Sequence, residues 1–258
     1  MKRIVLLITL LSFIVCNSKA QKEKDIIIYK NGDISYRSTL TSSDNIKFTK
    51  PESSMVFNHV QNGNVVKQIN VSDIDSICFK TYTEGESVLI NSVRWATRNV
   101  GAPHTFVTNP EDFGEYYQWN RGITDFYMEG EAYHNSAYAK SDTWLPENDP
   151  CPAGYRVPRI VEPGLPTVWH WTDRYGVLGF EAVGNNIGNS VFIPSAGSYS
   201  SPNGTSYEYT SGIACYWLGT NGGSTAAYAQ HTGGPGYYDL ILVVIPRSTP
   251  CSVRCVAK

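Results

Sequence analysis

The dipeptide Asn-Gly occurs at 31–32 and again at 62–63, and other landmarks keep the same spacing. Asp44 recurs as Asp75, Ile46 as Ile77 and Phe48 as Phe79, each at an offset of 31. A fixed period of this length marks a repeated supersecondary unit. Each copy opens on an apolar run (Ile26-Ile27-Ile28-Tyr29; Met55-Val56-Phe57), reaches Asn-Gly, and closes on an acidic turn and a short strand. Asn-Gly is the strongest two-residue hairpin signal because both residues tolerate positive φ. The repeat therefore predicts a small all-β module over 21–82. In its last strand Cys78 alternates with Ile77 and Phe79, which reads as a small buried thiol.

Ahead of the module, Lys2 and Arg3 precede an apolar run from Ile4 to Val15, and Ser18-Lys19-Ala20 supplies small residues for cleavage. This is the pattern of an export signal over 1–20. The run is about a dozen residues, short of the roughly 20 a transmembrane helix needs. A rival reading makes Cys16 a lipid anchor, although Phe13-Ile14-Val15 lacks the small residue usual before such a cysteine. Both readings place the protein outside the cytoplasm, secreted or at the cell surface.

Removing 1–20 takes away Lys2, Arg3 and Lys19 and no acid, moving the formal charge from −2 to −5. That argues against a nucleic-acid partner. Charged residues are only 17% of the chain and aromatic residues 12%, with three Met. A chain so poor in charge and rich in Gly and Tyr predicts short strands and long ordered loops. The polar stretch Thr81 to Glu86 reads as a linker, with a second domain over 86–258. Val88-Leu89-Ile90 and Val93-Arg94-Trp95-Ala96 bracket an Asn-Ser turn and read as a hairpin beside the strand Ser252–Val256. The apolar run Leu240–Ile245 reads as a buried strand. Five cysteines follow residue 20 (Cys78, Cys151, Cys215, Cys251, Cys255), so at least one is unpaired.

Four motifs carry a family resemblance. Cys151-Pro-Ala-Gly-Tyr-Arg-Val-Pro158, Ser252-Val-Arg-Cys-Val256, Trp95-Ala-Thr-Arg-Asn-Val-Gly101 and Phe113-Gly-Glu-Tyr-Tyr-Gln-Trp119 resemble the Fibrobacter succinogenes major paralogous domain, a secreted family common in Bacteroidetes. Asp73-Ile-Asp-Ser-Ile-Cys-Phe79 is similar to the ending of a small β-repeat that often precedes such domains. The resemblance implies an α+β, C-type-lectin-like fold, loop-rich and strand-dominated, with a disulfide between Cys151 and Cys255. Cys215 with Cys251 is then the candidate second bridge. The family usually carries a helix after the Arg-x-Pro turn. Here Pro163, Gly164 and Pro166 oppose one, which defers the expected helix to about Thr167–Tyr175. Tyr216-Trp217-Leu218-Gly219-Thr220 occupies a family strand position, placing Trp217 in the core.

Motifs for chemistry are sparse. His59, His104, His134, His170 and His231 are scattered, without His-Glu-x-x-His or Cys-x-x-Cys, so no metal is expected. Trp169-His170-Trp171 reads as core packing. Glu147-Asn148-Asp149 and Asn109-Pro-Glu-Asp112 are too few oxygens for calcium and fit turn chemistry. The Glu-Pro-Asn and Gln-Pro-Asp triplets of calcium-dependent lectins are missing, as is Gly-x-Ser-x-Gly, and Gly233-Gly234-Pro235-Gly236 reads as a turn. No cofactor or catalytic residue is expected. Tyr199, Tyr207, Tyr209, Tyr237 and Tyr238 lie among Gly, Ser, Thr and Asn, and such aromatic faces suit sugar rings or a protein partner. The expected role is non-catalytic binding or adhesion to a glycan or surface protein. The alternative is an assembly module of a surface or fimbrial complex whose repeats offer strand edges; an enzyme acting on polysaccharide would need facing carboxylates.

Overall fold

Strands β1 (Lys22–Lys30) and β2 (Asp33–Leu40) form a hairpin over Asn31-Gly32, and β4 (Val56–Gln61) and β5 (Asn64–Asn70) form its counterpart over Asn62-Gly63. Both Asn residues sit at positive φ, 54° and 49°, as the tight turn requires. Each hairpin gains its third strand from the other repeat. The first sheet has the order β2-β1-β6, with β6 (Ser76–Thr83) from the second copy; the other runs β3-β4-β5, with β3 (Asn45–Thr49) from the first. The 31-residue offset survives in the register. Ile26 faces Phe79 and Ile28 faces Ile77 in one sheet, while Phe57 faces Phe48 and His59 faces Ile46 in the other. Even the β-bulges correspond, after Ile28 and after His59. A lone hairpin is marginal in water, so the exchange makes each repeat depend on the other.

The computed structural model describes residues 22–51, 54–83, 85–122, 141–160, 168–184, 189–200, 208–210, 213–223, 226–231 and 241–258. The chain divides into two compact units between Glu84 and Gly85. In the first, Ile26, Ile28 and Phe57 are fully buried, with Tyr36, Ile46, Phe48, Ile69 and Ile77 packed on them. Cys78 corrects an expectation: it is exposed. Period-2 alternation turns Ile77 inward, and the same alternation turns Cys78 out.

His59 breaks the symmetry of the repeats, occupying in the second the inward position that Ile28 holds in the first. Its ring is fully buried and bonded on both nitrogens, Nδ1 to the Tyr36 hydroxyl at 2.7 Å and Nε2 to Asp44 at 3.1 Å. Burial alone raises the Asp44 carboxyl, but hydrogen bonds from the Thr41 backbone and hydroxyl and from His59 outweigh it and hold it below its ordinary value. A carboxylate lowered on folding stabilises above its unfolded pKa, and that contribution is lost as pH falls through the folded one. The protection of amides in 41–51 and 54–61 against hydrogen exchange, taken relative to the intrinsic rate at each pH, is therefore expected to fall on acidification below about pH 4. Asp44→Asn should lower protection at neutral pH and flatten that acid response; an unchanged acid response in Asp44→Asn would contradict the assignment.

The second unit is built around the C-terminal segment. Strands β7 (Ser87–Ile90) and β8 (Val93–Ala96) form a hairpin over Asn91-Ser92, and β18 (Val256–Ala257) lies between β8 and β9 (Tyr155–Arg156). Against this sheet pack β10 (Val168–Arg174), β11 (Val177–Val183) and β12 (Ser190–Pro194), through Ile90, Val93, Trp95, Phe180, Val191, Ile193 and Val256. A short ladder pairs β13 (Ser198–Ser200) with β14 (Glu208–Thr210). A further sheet has the order β15 (Cys215–Asn221), β16 (Ala226–His231), β17 (Ile241–Pro246).

Three expectations are corrected here. The described residues form no α-helix, only two three-residue 3-10 turns at Val71–Asp73 and Pro146–Asn148. The fold is mostly all-β, not α+β. Within the segment expected to be helical, 167–175, Val168–Arg174 form β10, because Trp171 and Thr172 suit a pleated surface and Tyr175-Gly176 turns the chain straight into β11. Of the run at 240–245, residues 241–245 lie in β17, which among the described strands pairs with β16 alone and leaves Leu242 and Val244 about half exposed. No described helix is long and apolar enough to cross a membrane.

Cys151 and Cys255 are joined by a disulfide across 104 residues of sequence. Closing so long a loop restricts the unfolded chain by roughly 4.7 kcal/mol in the chain-entropy model. All six tryptophans lie beyond Glu84, so their fluorescence reports this unit. Cys151→Ala with Cys255→Ala should lower its unfolding free energy by about 2–5 kcal/mol in urea titration; a change below about 0.5 kcal/mol would show that the clasp is not a main source of its stability.

Candidate functional site

Of the five tyrosines expected to meet a ligand, Tyr199 is buried, 8% exposed, with its ring edge-on to Tyr116 at 5.0 Å and its N–H bonded to Pro250. It is a packing residue. Tyr209 pairs through its backbone with Tyr199 in the β13–β14 ladder; Tyr207, Tyr237 and Tyr238 lie outside the described residues. Of the five side chains expected to form the aromatic patch, the described residues place Tyr199 alone, and it is buried. Cys215 and Cys251 are buried side by side, their sulfurs 2.8 Å apart.

The aromatic and amide side chains of this unit mostly hold loops. Trp119 and Trp217, both fully buried, donate their indole N–H to the carbonyls of Leu218 and Tyr117. Asn99 donates to Phe113 O and to the Tyr216 hydroxyl, which itself donates to Pro194 O at 2.7 Å. Burial pushes the Tyr216 phenol up to about 12, against the pull of Arg254, and brings the Arg254 guanidinium down to about 10. Arg254 stays bonded to Ala96 O and Phe192 O. Asn120, at φ 56°, accepts from Leu145 N–H, and Asn148 reaches back to Asn120. Asp149 caps the turn before the disulfide by accepting from the N–H groups of Cys151 and Val157, although burial prevails and raises its carboxyl. The two oxygen-rich runs are thus engaged by their own chain, Asp112 likewise accepting from Asn109. The described residues contain no group of three metal-ligating side chains.

Arg247 ties three of these loops together. Its guanidinium lies 4.2 Å from the centre of the Trp119 ring and donates to Ser141 O and Gly223 O. Such charge-assisted bonds carry about 1.5–3 kcal/mol. Arg247→Lys, which keeps the charge and loses the planar fork, should destabilise this unit by about that amount. Urea denaturation followed by tryptophan fluorescence measures it, and a loss under about 0.5 kcal/mol would mean that the carbonyls find other donors.

One aromatic side chain stands apart from this frame. Tyr175, at the tip of the β10–β11 hairpin, is 91% exposed and sits at φ 53°. The other described non-glycine residues at positive φ are Asn, Ser or His. Left-handed backbone costs an L-residue roughly 1–2 kcal/mol, least for Asn and Asp, and a bulky residue there is an outlier. The hairpin holds the geometry firmly: Gly176 N–H donates to Asp173, and Arg174 spans from Glu181, at 3.8 Å, to the face of Phe192, at 4.9 Å. Phe192 can lie there because Gly179 is beneath it; a Cβ at 179 would come within 2.6 Å of its ring. Leu178, 42% exposed, stands behind the tip. The signal in the sequence was Arg174-Tyr175-Gly176 between two runs of strand-forming residues, a turn with an aromatic where Asn is usual.

No protein-family model, curated protein or solved structure matches the chain. The likeness to the Fibrobacter succinogenes major paralogous domain rests on the motif residues alone.

Proposed function

We propose that the protein is an exported, non-catalytic binding protein whose second unit presents the β10–β11 hairpin tip to a glycan or a protein at the cell surface. The observation that carries this reading is Tyr175, an exposed ring held in strained backbone by a braced hairpin. Strain of this kind persists where surroundings enforce it, and it clusters at functional sites. A rigid, exposed tyrosine also offers a flat apolar face and a hydroxyl with little rotamer entropy to lose, which suits both sugar rings and protein surfaces. The export signal pattern and the motif resemblance support the location. They leave the ligand open between the two classes.

A second reading, assembly through a strand edge, is favoured by β5, the edge strand where Val65 and Val66 are 57% and 48% exposed. Unpaired edges accept a partner strand.

Tyr175→Asn separates function from stability in one variant. It should raise the stability of the second unit by about 1 kcal/mol while weakening binding at least tenfold, as expected of a hot-spot residue worth more than about 1.4 kcal/mol. The full exported protein would be screened on a glycan array with calcium and again with chelator, then by pull-down from surface proteins. Wild-type binding that Tyr175→Asn leaves intact would reject the hairpin tip as the contact. Binding lost instead in Val65→Lys/Val66→Lys would favour the assembly reading.

A further inference from the structure

We infer that Cys215 and Cys251 form a second disulfide, which fastens the C-terminal segment to β15 as Cys151–Cys255 fastens it to the turn before β9. Backbone register places the two residues directly opposite each other. Tyr216 and Ser252 form a parallel bridge, Ser252 N–H donates to Cys215 O, and Trp217 N–H donates to Ser252 O. In parallel register the residues one step earlier, Cys215 and Cys251, face each other on one side of the pair. Their sulfurs are 2.8 Å apart. That is well inside the roughly 3.5–4.0 Å at which even carbon atoms rest without a bond. Both are essentially inaccessible, at 1% and 0% exposure. Of the other cysteines described in this unit, Cys151 and Cys255 are already joined to each other.

The reaction is thiol–disulfide exchange with a disulfide donor of the export compartment, a small-molecule disulfide or a disulfide-carrying oxidoreductase. One cysteine thiolate attacks a donor sulfur, forms a mixed disulfide and expels one donor thiolate. The second cysteine thiolate then attacks the mixed disulfide and expels the other. Two protons pass to solvent, the cysteine pair is oxidised, and the donor is reduced by two electrons. Burial raises the Cys251 thiol well above its ordinary value, so exchange belongs to the stage before the segment is enclosed.

Tryptic mapping under non-reducing conditions decides the matter, because Arg254 separates Cys251 from Cys255 and Arg247 separates Cys215 from Cys251. The full chain, refolded with a glutathione disulfide buffer and alkylated in denaturant, should yield the 248–254 peptide linked to the 175–247 peptide. The 255–258 peptide should appear linked to 141–156. Recovery of 248–254 alkylated and alone, or linked to the Cys78 peptide, overturns the inference. As a check needing no variant to fold, partial reduction should release the 248–254 link only together with loss of the native tryptophan signal.

Discussion

The second unit depends on one buried strip of backbone, Cys251 to Ala257, none of whose side chains is more than 3% exposed. A strip so enclosed must find protein partners for its peptide groups, and these partners are the rest of the unit. Cys251 exchanges hydrogen bonds with Tyr117, Ser252 bonds to Cys215 and Trp217, Val253 accepts from Val100, and Cys255 accepts from Ala96. Val256 then pairs with Trp95 on one side and Arg156 on the other. Segments far apart in sequence, from Trp95 to Trp217, are thus bonded to one strip. The contacts it makes join residues far apart in sequence, and such long-range contacts form slowly.

The same arrangement accounts for the composition. Much of this unit is loop, and a buried loop leaves carbonyls and N–H groups without ladder partners. Side chains that carry donors on an apolar body meet that need: the indoles of Trp119 and Trp217, the amides of Asn99 and Gln118, the guanidinium groups of Arg247 and Arg254. Leu and Met could fill the volume but leave those carbonyls unsatisfied, which costs about 1–3 kcal/mol each. The scarcity of Met and abundance of Tyr are consequences of a core that bonds to backbone as much as it excludes water.

What the sequence disclosed follows the same division between local and non-local control. The repeat was legible because Asn-Gly acts within two residues and recurs at a fixed offset, although the exchange of β3 and β6 between hairpins was not, since nothing local says which strand a third one will join. Cys78 was misjudged because an apolar neighbourhood in sequence does not tell which face of a two-sided strand is covered. The run at 240–245 was misjudged for a related reason: its apolar residues look alike whether β17 is central or at an edge. The helix expected at 167–175 came from family likeness, while Trp171, Thr172 and the Tyr175-Gly176 turn argued locally for a strand. Tyr199 shows the limit for site prediction, because a tyrosine among Gly and Ser reads the same whether it holds its own loop or faces a partner.

The hairpin tip is not mechanically isolated from the buried strip. Arg174 covers the ring of Phe192, and the carbonyl of Phe192 accepts from Arg254, within the strip itself. Two residues from the exposed end of the hairpin to the centre of the core thus suffice to make one connected path of packed and bonded groups. A flexible loop could display an aromatic ring without strain, but it would lose conformational entropy on binding and yield under load. In the binding role proposed above, a hairpin braced on the core would keep Tyr175 in its costly backbone conformation before a ligand arrived, so that the ordering cost is met on folding and not on association. That is the physical reason a domain would retain a bulky residue where Asn would be more stable.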